Sequence, residues 1–248
     1  MECLKMVRIG GRMMPAVAIL AAGCAAPRPS ASPLATALPP AAERSVSGQT
    51  DAVRDPEPPA ELPDGFRPLF NGKDLTGWKV CNEADFTLHG EVHVKEGRLL
   101  LEEGRTMTGV AWTGEFPTAG YEVLVDAMRT SGGDFFCGMT FPVGGSWCTL
   151  IVGGWGGMVV GLSNVDGRSA AENQTTLGMS FDTGRWYRIR MAVTEDFIDA
   201  WIDDERVIHQ AREGHEFDIW WEQEPARPFG INTWMTGAAL RHVAIRQP

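Results

Sequence analysis

Short runs of alternating apolar and polar residues, separated by glycine, asparagine and aspartate, fill the chain from about residue 62 onward. The runs are rich in β-branched and aromatic residues, which is typical of strands bounded by turns. The predicted strands are 91–95, 98–102, 121–129, 135–141, 148–152, 158–162, 186–194, 198–202, 206–209, 229–233 and 240–246. No amphipathic helix longer than two turns is predicted. Many short strands at this spacing predict an all-β sandwich or barrel.

The clearest local unit is a β-hairpin over residues 186–203, with a two-residue turn at Glu195 and Asp196. This turn sets three apolar pairs on one face, so that face is predicted to be buried. The pairs are Val193 with Ile198, Met191 with Ala200, and Ile189 with Ile202. On the other face Arg190 stands opposite Trp201. This pair could make a structural cation–π contact or form a platform for a sugar ring.

A second hairpin is predicted over residues 135–152. A turn centred between Pro142 and Val143 places Cys137 directly opposite Cys148, at a Cα separation that a disulfide can bridge. Export from the cytoplasm would permit oxidation. The alternative is that both thiols stay free, because buried cysteines also act as small apolar residues.

The first 23 residues predict a lipoprotein signal peptide, because Arg8 and Arg12 precede the short apolar run 13–22. A membrane span would need about 20 apolar residues. Small residues directly before Cys24 resemble the bacterial lipobox, which makes Cys24 the predicted lipid attachment site. A plain secretory signal with a chance cysteine is the alternative. The expected location is the bacterial cell envelope, at the outer membrane or facing the periplasm.

Residues 24–61 are rich in proline, alanine and serine and then become acidic. Such a segment buries too little apolar area to offset chain entropy, so it is predicted to be a disordered linker. One sandwich domain is therefore expected at residues 62–248.

The net charge of −10 and the pI of about 5.0 argue against a nucleic-acid partner, because an acidic surface repels phosphate. No spacing of cysteine and histidine resembles a zinc site. The sequence therefore predicts no cofactor, although it leaves a divalent metal open.

Four motifs occur in order along the predicted domain. Residues 65–78 read GFRPLFNGKDLTGW, 184–190 read GRWYRIR, 201–205 read WIDDE, and 240–245 read LRHVAI. Together they resemble the 3-keto-disaccharide hydrolase domain family over the whole of residues 62–248. The first motif itself is expected to be structural, with a glycine-containing turn and a tryptophan anchor.

This resemblance implies a concanavalin-A-like jelly-roll sandwich of two curved antiparallel sheets, whose concave sheet holds a carbohydrate. The activity implied is cleavage of glycosides already oxidised at carbon 3. Such a site needs a base, a group that stabilises the enolate oxygen, and an acid for the leaving group.

The chain departs from the family pattern at its centre. Residues 133–139 read GDFFCGM where the family has N-S-G-[IV]-[FY]-x-R, and residues 147–152 read WCTLIV where it has Y-E-x-Q-[IL]-x-D. The polar residues of the second strand are therefore lost. Two functions remain open: an envelope 3-keto-glycoside hydrolase or lyase, and a carbohydrate-binding lipoprotein without catalysis. A purely structural envelope protein is a third hypothesis.

The predicted catalytic residues are Asp134, Arg190 and Glu122. Asp134 follows two glycines, where a ligand could approach closely, although it could equally cap a turn. Arg190 could hold an enolate or a sugar hydroxyl. Glu122 shares a strand face with Asp126, and two carboxylates there could do acid–base work.

The predicted substrate-binding residues are Trp155, Asp166, Asn173 and Trp201. Trp155 is flanked by four glycines, which favours an exposed stacking ring or a lid on the sandwich edge. Asp166 is first a turn residue, and Asn173 belongs to a loop suited to sugar hydroxyls. The loop 220–222, with two tryptophans and a glutamate, could contact ligand or cap the sandwich.

Overall fold

The computed structural model describes residues 61–247 and shows two antiparallel β-sheets packed as a sandwich. The predicted signal peptide, Cys24 and the linker as far as residue 60 lie outside the described residues. Among the helices of the described part, none has the length and apolar character needed to cross a bilayer.

The strands and helical turns are short and follow one another closely. In chain order the strands are β1 (Arg67–Pro68), β2 (Trp78–Val80), β3 (Val92–Lys95), β4 (Arg98–Leu101), β5 (Met107–Trp112), β6 (Tyr121–Gly132), β7 (Cys137–Val143), β8 (Ser146–Gly153), β9 (Val159–Ser163), β10 (Leu177–Gly178), β11 (Trp186–Val193), β12 (Phe197–Ile202), β13 (Glu205–Ala211), β14 (Gly230–Trp234) and β15 (Thr236–Arg246). The helical segments are the turn α1 (Gly154–Gly157) and the 3₁₀ helices Ala84–Phe86 and Trp221–Ala226.

Strands that follow one another in the sequence are often not adjacent in a sheet. The eight-stranded sheet has the order β13-β12-β11-β6-β15-β4-β3, with β1 paired to β15. The seven-stranded sheet has the order β10-β9-β8-β7-β14-β5-β2. The all-β sandwich predicted from the sequence is confirmed. Because β14 inserts between β7 and β5, segments far apart in the chain meet on one sheet face.

The β11–β12 hairpin has the predicted register. Val193 pairs with Ile198, Met191 with Ala200, and Ile189 with Ile202. All six of these side chains are buried in the main core between the sheets. Arg190 and Trp201 pair on the outer face, as predicted.

Strand β5 was not predicted from the sequence. All but one of its residues are buried, so it lacks the alternation that marks a strand with one wet face. It pairs with both β2 and β14, and thereby supplies part of the face that carries the candidate site.

The opening motif is structural, as expected. The Asn71 Oδ1 accepts the N–H groups of Lys73 and Asp74 at 2.7 and 3.0 Å, which closes a turn around Gly72. Trp78 is buried, and its indole N–H donates to the carbonyl of Leu69 at 3.1 Å.

The predicted pairing of Cys137 with Cys148 is wrong. The hairpin turns at Gly144 and Gly145, two residues later than predicted, so Cys137 faces Val152 and Cys148 faces Phe141. Gly144 has a φ of 61°, which glycine adopts without steric cost. Both cysteines are free and fully buried in the core.

Burial should make the core thiols inert. It raises the pKa of Cys81 and of Cys137 to about 12, and it raises the pKa of Cys148 as well. We expect these cysteines to resist alkylation at pH 8 in the folded protein and to react within minutes in denaturant. Peptide mass spectrometry of the labelled chain reads each position separately. Rapid labelling of Cys137 in the native state would contradict its placement.

A second apolar cluster covers the middle of the outer face of the seven-stranded sheet. Its members are Cys81, Phe86, Met107, Ala111, Phe135, Ile151, Ala170 and Ala226. The two 3₁₀ helices contribute Phe86 and Ala226 to it. Apolar side chains therefore fill part of this sheet face, and the space left beside the cluster is the pocket described next.

Candidate functional site

A cavity of about 440 Å³ opens on the outer face of the seven-stranded sheet. It is lined by Met107, Asp134, Phe135, Ile151, Trp155, Ser163, Trp220, Glu222, Gln223 and Trp234. Strands β5, β8, β9 and β14 supply the sheet residues, and the 3₁₀ helix Trp221–Ala226 supplies part of the wall. We call this cavity the tryptophan pocket, because three indole rings surround it. Trp155 and Trp220 are about half exposed.

Trp155 is held over the pocket by an unusual backbone. Its φ is 47°, and Gly153, Gly156 and Gly157 also have positive φ values. A non-glycine residue rarely adopts this region, and such residues concentrate at functional sites. Arg129 supports the loop from below by donating to the carbonyl of Gly157 at 3.3 Å. Burial lowers the pKa of this guanidinium.

Asp134 lines the pocket, but its carboxylate is occupied. The Oδ1 accepts the N–H of Phe135 at 2.8 Å, and the Oδ2 accepts the N–H of Gly156 at 3.1 Å. Its own N–H donates to the Thr236 Oγ1 at 2.9 Å. Asp134 therefore fixes the segment that leads into β7 relative to the Trp155 loop.

Glu222 has the less restrained carboxylate of the pocket. Its Oε2 is buried and has no hydrogen-bond partner among residues 61–247. The neighbouring Gln223 is buried and accepts a hydrogen bond from the Thr149 hydroxyl on β8. This bond fixes the 3₁₀ helix to the sheet, so Glu222 has a defined place in the pocket wall.

The structure does not bring Arg190 and Glu122 to Asp134. Both lie on the outer face of the other sheet, where the Arg190 Nη1 is 3.5 Å from the Glu122 Oε2. The Arg190 guanidinium stacks 3.6 Å from the ring centroid of Trp201. The Glu122 Oε2 also accepts from Arg246 at 2.7 Å. The sandwich separates these residues from the tryptophan pocket, so the predicted catalytic trio is not assembled.

Asp166 holds a turn. It has a φ of 52°, and its carboxylate accepts the Glu216 N–H at 2.9 Å and lies 2.8 Å from the His215 Nδ1. The hydrogen bond from Glu216 and then that from His215 lower the pKa of Asp166. It lies outside the tryptophan pocket.

Asn173 is buried, and both polar groups of its side-chain amide form hydrogen bonds within the surrounding loop and β9. Its Nδ2 lies 2.7, 3.0 and 2.8 Å from the carbonyls of Leu162, Arg168 and Ser169. Its Oδ1 accepts from the N–H and the hydroxyl of Thr175. The amide therefore stabilises the loop and is not presented to a ligand.

Trp234 and Gln223 were not among the site residues predicted from the sequence, and Glu222 was expected only as part of an exposed loop. Trp234 follows Asn232 by two residues on β14, so the alternation of that strand could have placed it on the outer face. No group of three or more metal-ligating side chains occurs within residues 61–247. A wider cavity of about 710 Å³ near the β7–β8 turn contains none of the predicted site residues.

A family model described as the 3-keto-alpha-glucoside-1,2-lyase-like domain matches residues 65–246. The chain belongs to this family. The family predicted from the sequence motifs is therefore confirmed. In this member of the 3-keto-alpha-glucoside-1,2-lyase-like family, the outward positions of β8 include Thr149 and Ile151, so polar groups reach the pocket mainly from Asp134, Glu222 and Gln223.

The chain also resembles solved structures at low identity. A variant of SCLam, a non-specific endo-β-1,3(4)-glucanase of family GH16, is 13% identical with a TM-score of 0.50, and the match covers 77% of this chain and 98% of that chain. A Bacillus subtilis protein with a galectin-like fold is 13% identical with a TM-score of 0.49, covering 73% and 94%. The carbohydrate-binding module CBM66 from Bacillus subtilis is 13% identical with a TM-score of 0.46, covering 69% and 96%. The glucanase match shows a jelly-roll fold. No curated protein matches the chain.

Proposed function

We propose that the chain binds a glycoside oxidised at carbon 3 in the tryptophan pocket and cleaves it by elimination, with Glu222 as the base. The observation that carries this proposal is the Glu222 carboxylate, which has a buried oxygen without a partner in a tryptophan-lined pocket. A buried, unpaired carboxylate oxygen costs folding free energy, so a functional role is the physical reason to retain it.

The chemistry follows from the ketone. A carbonyl at carbon 3 acidifies the hydrogen on carbon 2, and Glu222 removes that proton while the C–H electron pair forms the enolate. The enolate then collapses, a double bond forms between carbons 1 and 2, and the bond from carbon 1 to the glycosidic oxygen breaks. The leaving oxygen takes up a proton. Addition of water across the double bond yields the 3-keto sugar.

The tryptophans would orient the substrate. Indole faces pack against the C–H faces of a pyranose ring, and the indole N–H can donate to a hydroxyl. Trp155, Trp220 and Trp234 offer such faces around the pocket. The family to which the chain belongs supports a glycoside as the ligand.

A carbohydrate-binding protein without turnover is the second candidate. It is favoured by Asp134, whose two carboxylate oxygens are bound by backbone N–H groups. It is also favoured by strand β8, which has Cys148 and Leu150 where the family pattern has glutamate and glutamine.

Turnover and binding can be separated with a 3-keto-glucoside that carries a chromogenic aglycone. We expect the wild-type chain to release the aglycone. Trp220→Ala should weaken affinity about tenfold, since a stacking contact of about 1.4 kcal/mol is lost. Trp221→Ala is the matched control, because Trp221 is 61% exposed and does not line the pocket. Binding without release favours the second candidate. If the chain neither binds the glucoside nor releases the aglycone, both candidate functions are wrong.

We propose further that the chain is exported and anchored to the cell envelope through a lipid on Cys24. The apolar run 13–22 and the small residues before Cys24 support this proposal. Cys24→Ser should move the protein from the detergent phase to the aqueous phase in Triton X-114 partitioning. Equal partitioning of the variant and the wild type would contradict the anchor.

A further inference from the structure

Asn232 is a buried amide without a partner. It is fully buried on β14, and neither its Nδ2 nor its Oδ1 has a hydrogen bond within residues 61–247. Its neighbour Ile231 belongs to the core between the sheets. Since side chains alternate along a strand, Asn232 faces the opposite way, on the same face as Trp234 of the tryptophan pocket.

The sheet leaves room for this amide with two glycines. Asn232 pairs with Gly109 on one side and Gly138 on the other. A Cβ at Gly138 would lie 2.6 Å from the Asn232 Oδ1, and a Cβ at Gly109 would lie 2.6 Å from the Asn232 Cβ. Any larger side chain at either position would displace the amide.

The ring of Phe135 adjoins both the tryptophan pocket and the space that the amide occupies. Phe135 lines the pocket, and its ring comes within 3.0 Å of the same Cβ position at Gly138 that the amide oxygen approaches. Ile151, which pairs with Gly138 on the next strand, lines the pocket as well. Phe135 and Ile151 therefore connect the pocket lining with the surroundings of the amide.

Buried polar groups without partners are rare in folded proteins, and each needs a physical explanation. An amide held between glycines and aromatic rings weakens the fold, and a leucine, which has the same branched shape, would avoid that cost. Retaining it is explained if a ligand supplies the missing hydrogen bond.

We propose that Asn232 is the innermost polar contact of the site and that its amide N–H donates to the keto oxygen on carbon 3 of the substrate. The ligand reaches it by displacing the Phe135 ring. The inference rests on the proposed function, and it supplies the group that stabilises the enolate charge formed when Glu222 removes the proton. A neutral amide donor directed at a developing oxyanion lowers the barrier more than it strengthens substrate binding.

The test compares Asn232→Leu and Asn232→Ala with the wild-type chain in thermal unfolding, in affinity for a 3-keto-glucoside read by tryptophan fluorescence, and in aglycone release. Asn232→Leu should leave Tm unchanged or raise it by about 2–4 °C. Both variants should lower kcat about 10²-fold with a smaller change in KM. Thr140→Val is the matched control, because the Thr140 and Thr149 hydroxyls are 3.0 Å apart and buried on the same face. It should lower Tm and spare kcat.

The outcomes separate this inference from the proposed function. If the wild type turns over and both Asn232 variants keep its kcat and affinity, the role of Asn232 is overturned and the proposed function stands. If Asn232→Leu lowers Tm as Thr140→Val does and spares kcat, the amide is structural and the inference is wrong. If the wild type binds without turnover, the affinity of the variants alone tests the role of Asn232. An unchanged affinity in both variants then overturns that role. If the wild type does not bind at all, both proposals fail.

Discussion

Replacing Glu222 with glutamine is expected to lower kcat on a 3-keto-glucoside by about 10²–10⁴-fold while KM stays within about threefold. Glutamine preserves the shape of the side chain but cannot accept the proton from carbon 2. The substrate should still stack in the tryptophan pocket, because Trp155, Trp220 and Trp234 are untouched. Stopped-flow binding and steady-state aglycone release measure the two effects separately.

Glu224→Gln is the matched control for this experiment. Glu224 lies on the same 3₁₀ helix as Glu222 but forms a salt bridge with Arg227, and it does not line the pocket. Its turnover should equal that of the wild type. Asp134→Asn completes the set and should disturb the Trp155 loop, so affinity should fall together with kcat. Loss of turnover in Asp134→Asn at unchanged affinity, with Glu222→Gln still active, would transfer the role of base to Asp134.

The strands could be predicted from alternating apolar and polar residues wherever one face of the strand is exposed to solvent. In the β11–β12 hairpin, apolar and polar residues alternate on both sides of a two-residue turn, and the predicted register is the observed one. In the β7–β8 hairpin the predicted turn was centred between Pro142 and Val143. The chain turns at Gly144 instead, because glycine tolerates the positive φ that a tight hairpin requires.

Only some of the residues that line the pocket could be predicted from the sequence. Asp134 and Trp155 were singled out because glycines flank them, and both line the pocket. Glu222 and Trp234 reach the same place because β14 pairs with β7 and the 3₁₀ helix packs on β8. Alternation along a strand gives the face of a residue, but not which strand lies beside it. For that reason Glu122 and Arg190, which also lie on an outward face, were grouped with Asp134 although they belong to the other sheet.

Replacing Asp126 with alanine is expected to lower the free energy of unfolding by about 3–5 kcal/mol. This carboxylate is fully buried on the outer face of the eight-stranded sheet. Arg188 donates to its two oxygens at 2.8 and 3.1 Å, Arg241 lies 3.4 Å away, and the His242 Nδ1 lies 2.8 Å away. Without the carboxylate, two guanidinium groups lose the anion that compensates their desolvation.

Asp199→Ala provides the comparison on the same sheet. Asp199 lies 3.5 Å from Arg206 and 2.7 Å from His209, but those side chains are 52% and 47% exposed. Solvent screens such pairs, so the expected loss is below about 1 kcal/mol. Urea denaturation of the two variants measures the difference, and the m-value shows whether the unfolding remains two-state.

Ligand affinity and turnover of the Asp126→Ala variant test what the geometry around Asp126 does in this molecule. His242 adopts a φ of 53° at a register shift in β15, so the backbone itself is bent to bring the imidazole to the carboxylate. If the cluster serves stability, Asp126→Ala loses several kcal/mol while the tryptophan pocket, on the other sheet, keeps its affinity for ligand. A small loss of stability together with a large loss of turnover would instead place the chemistry on the eight-stranded sheet, and the Glu222 assignment would be wrong.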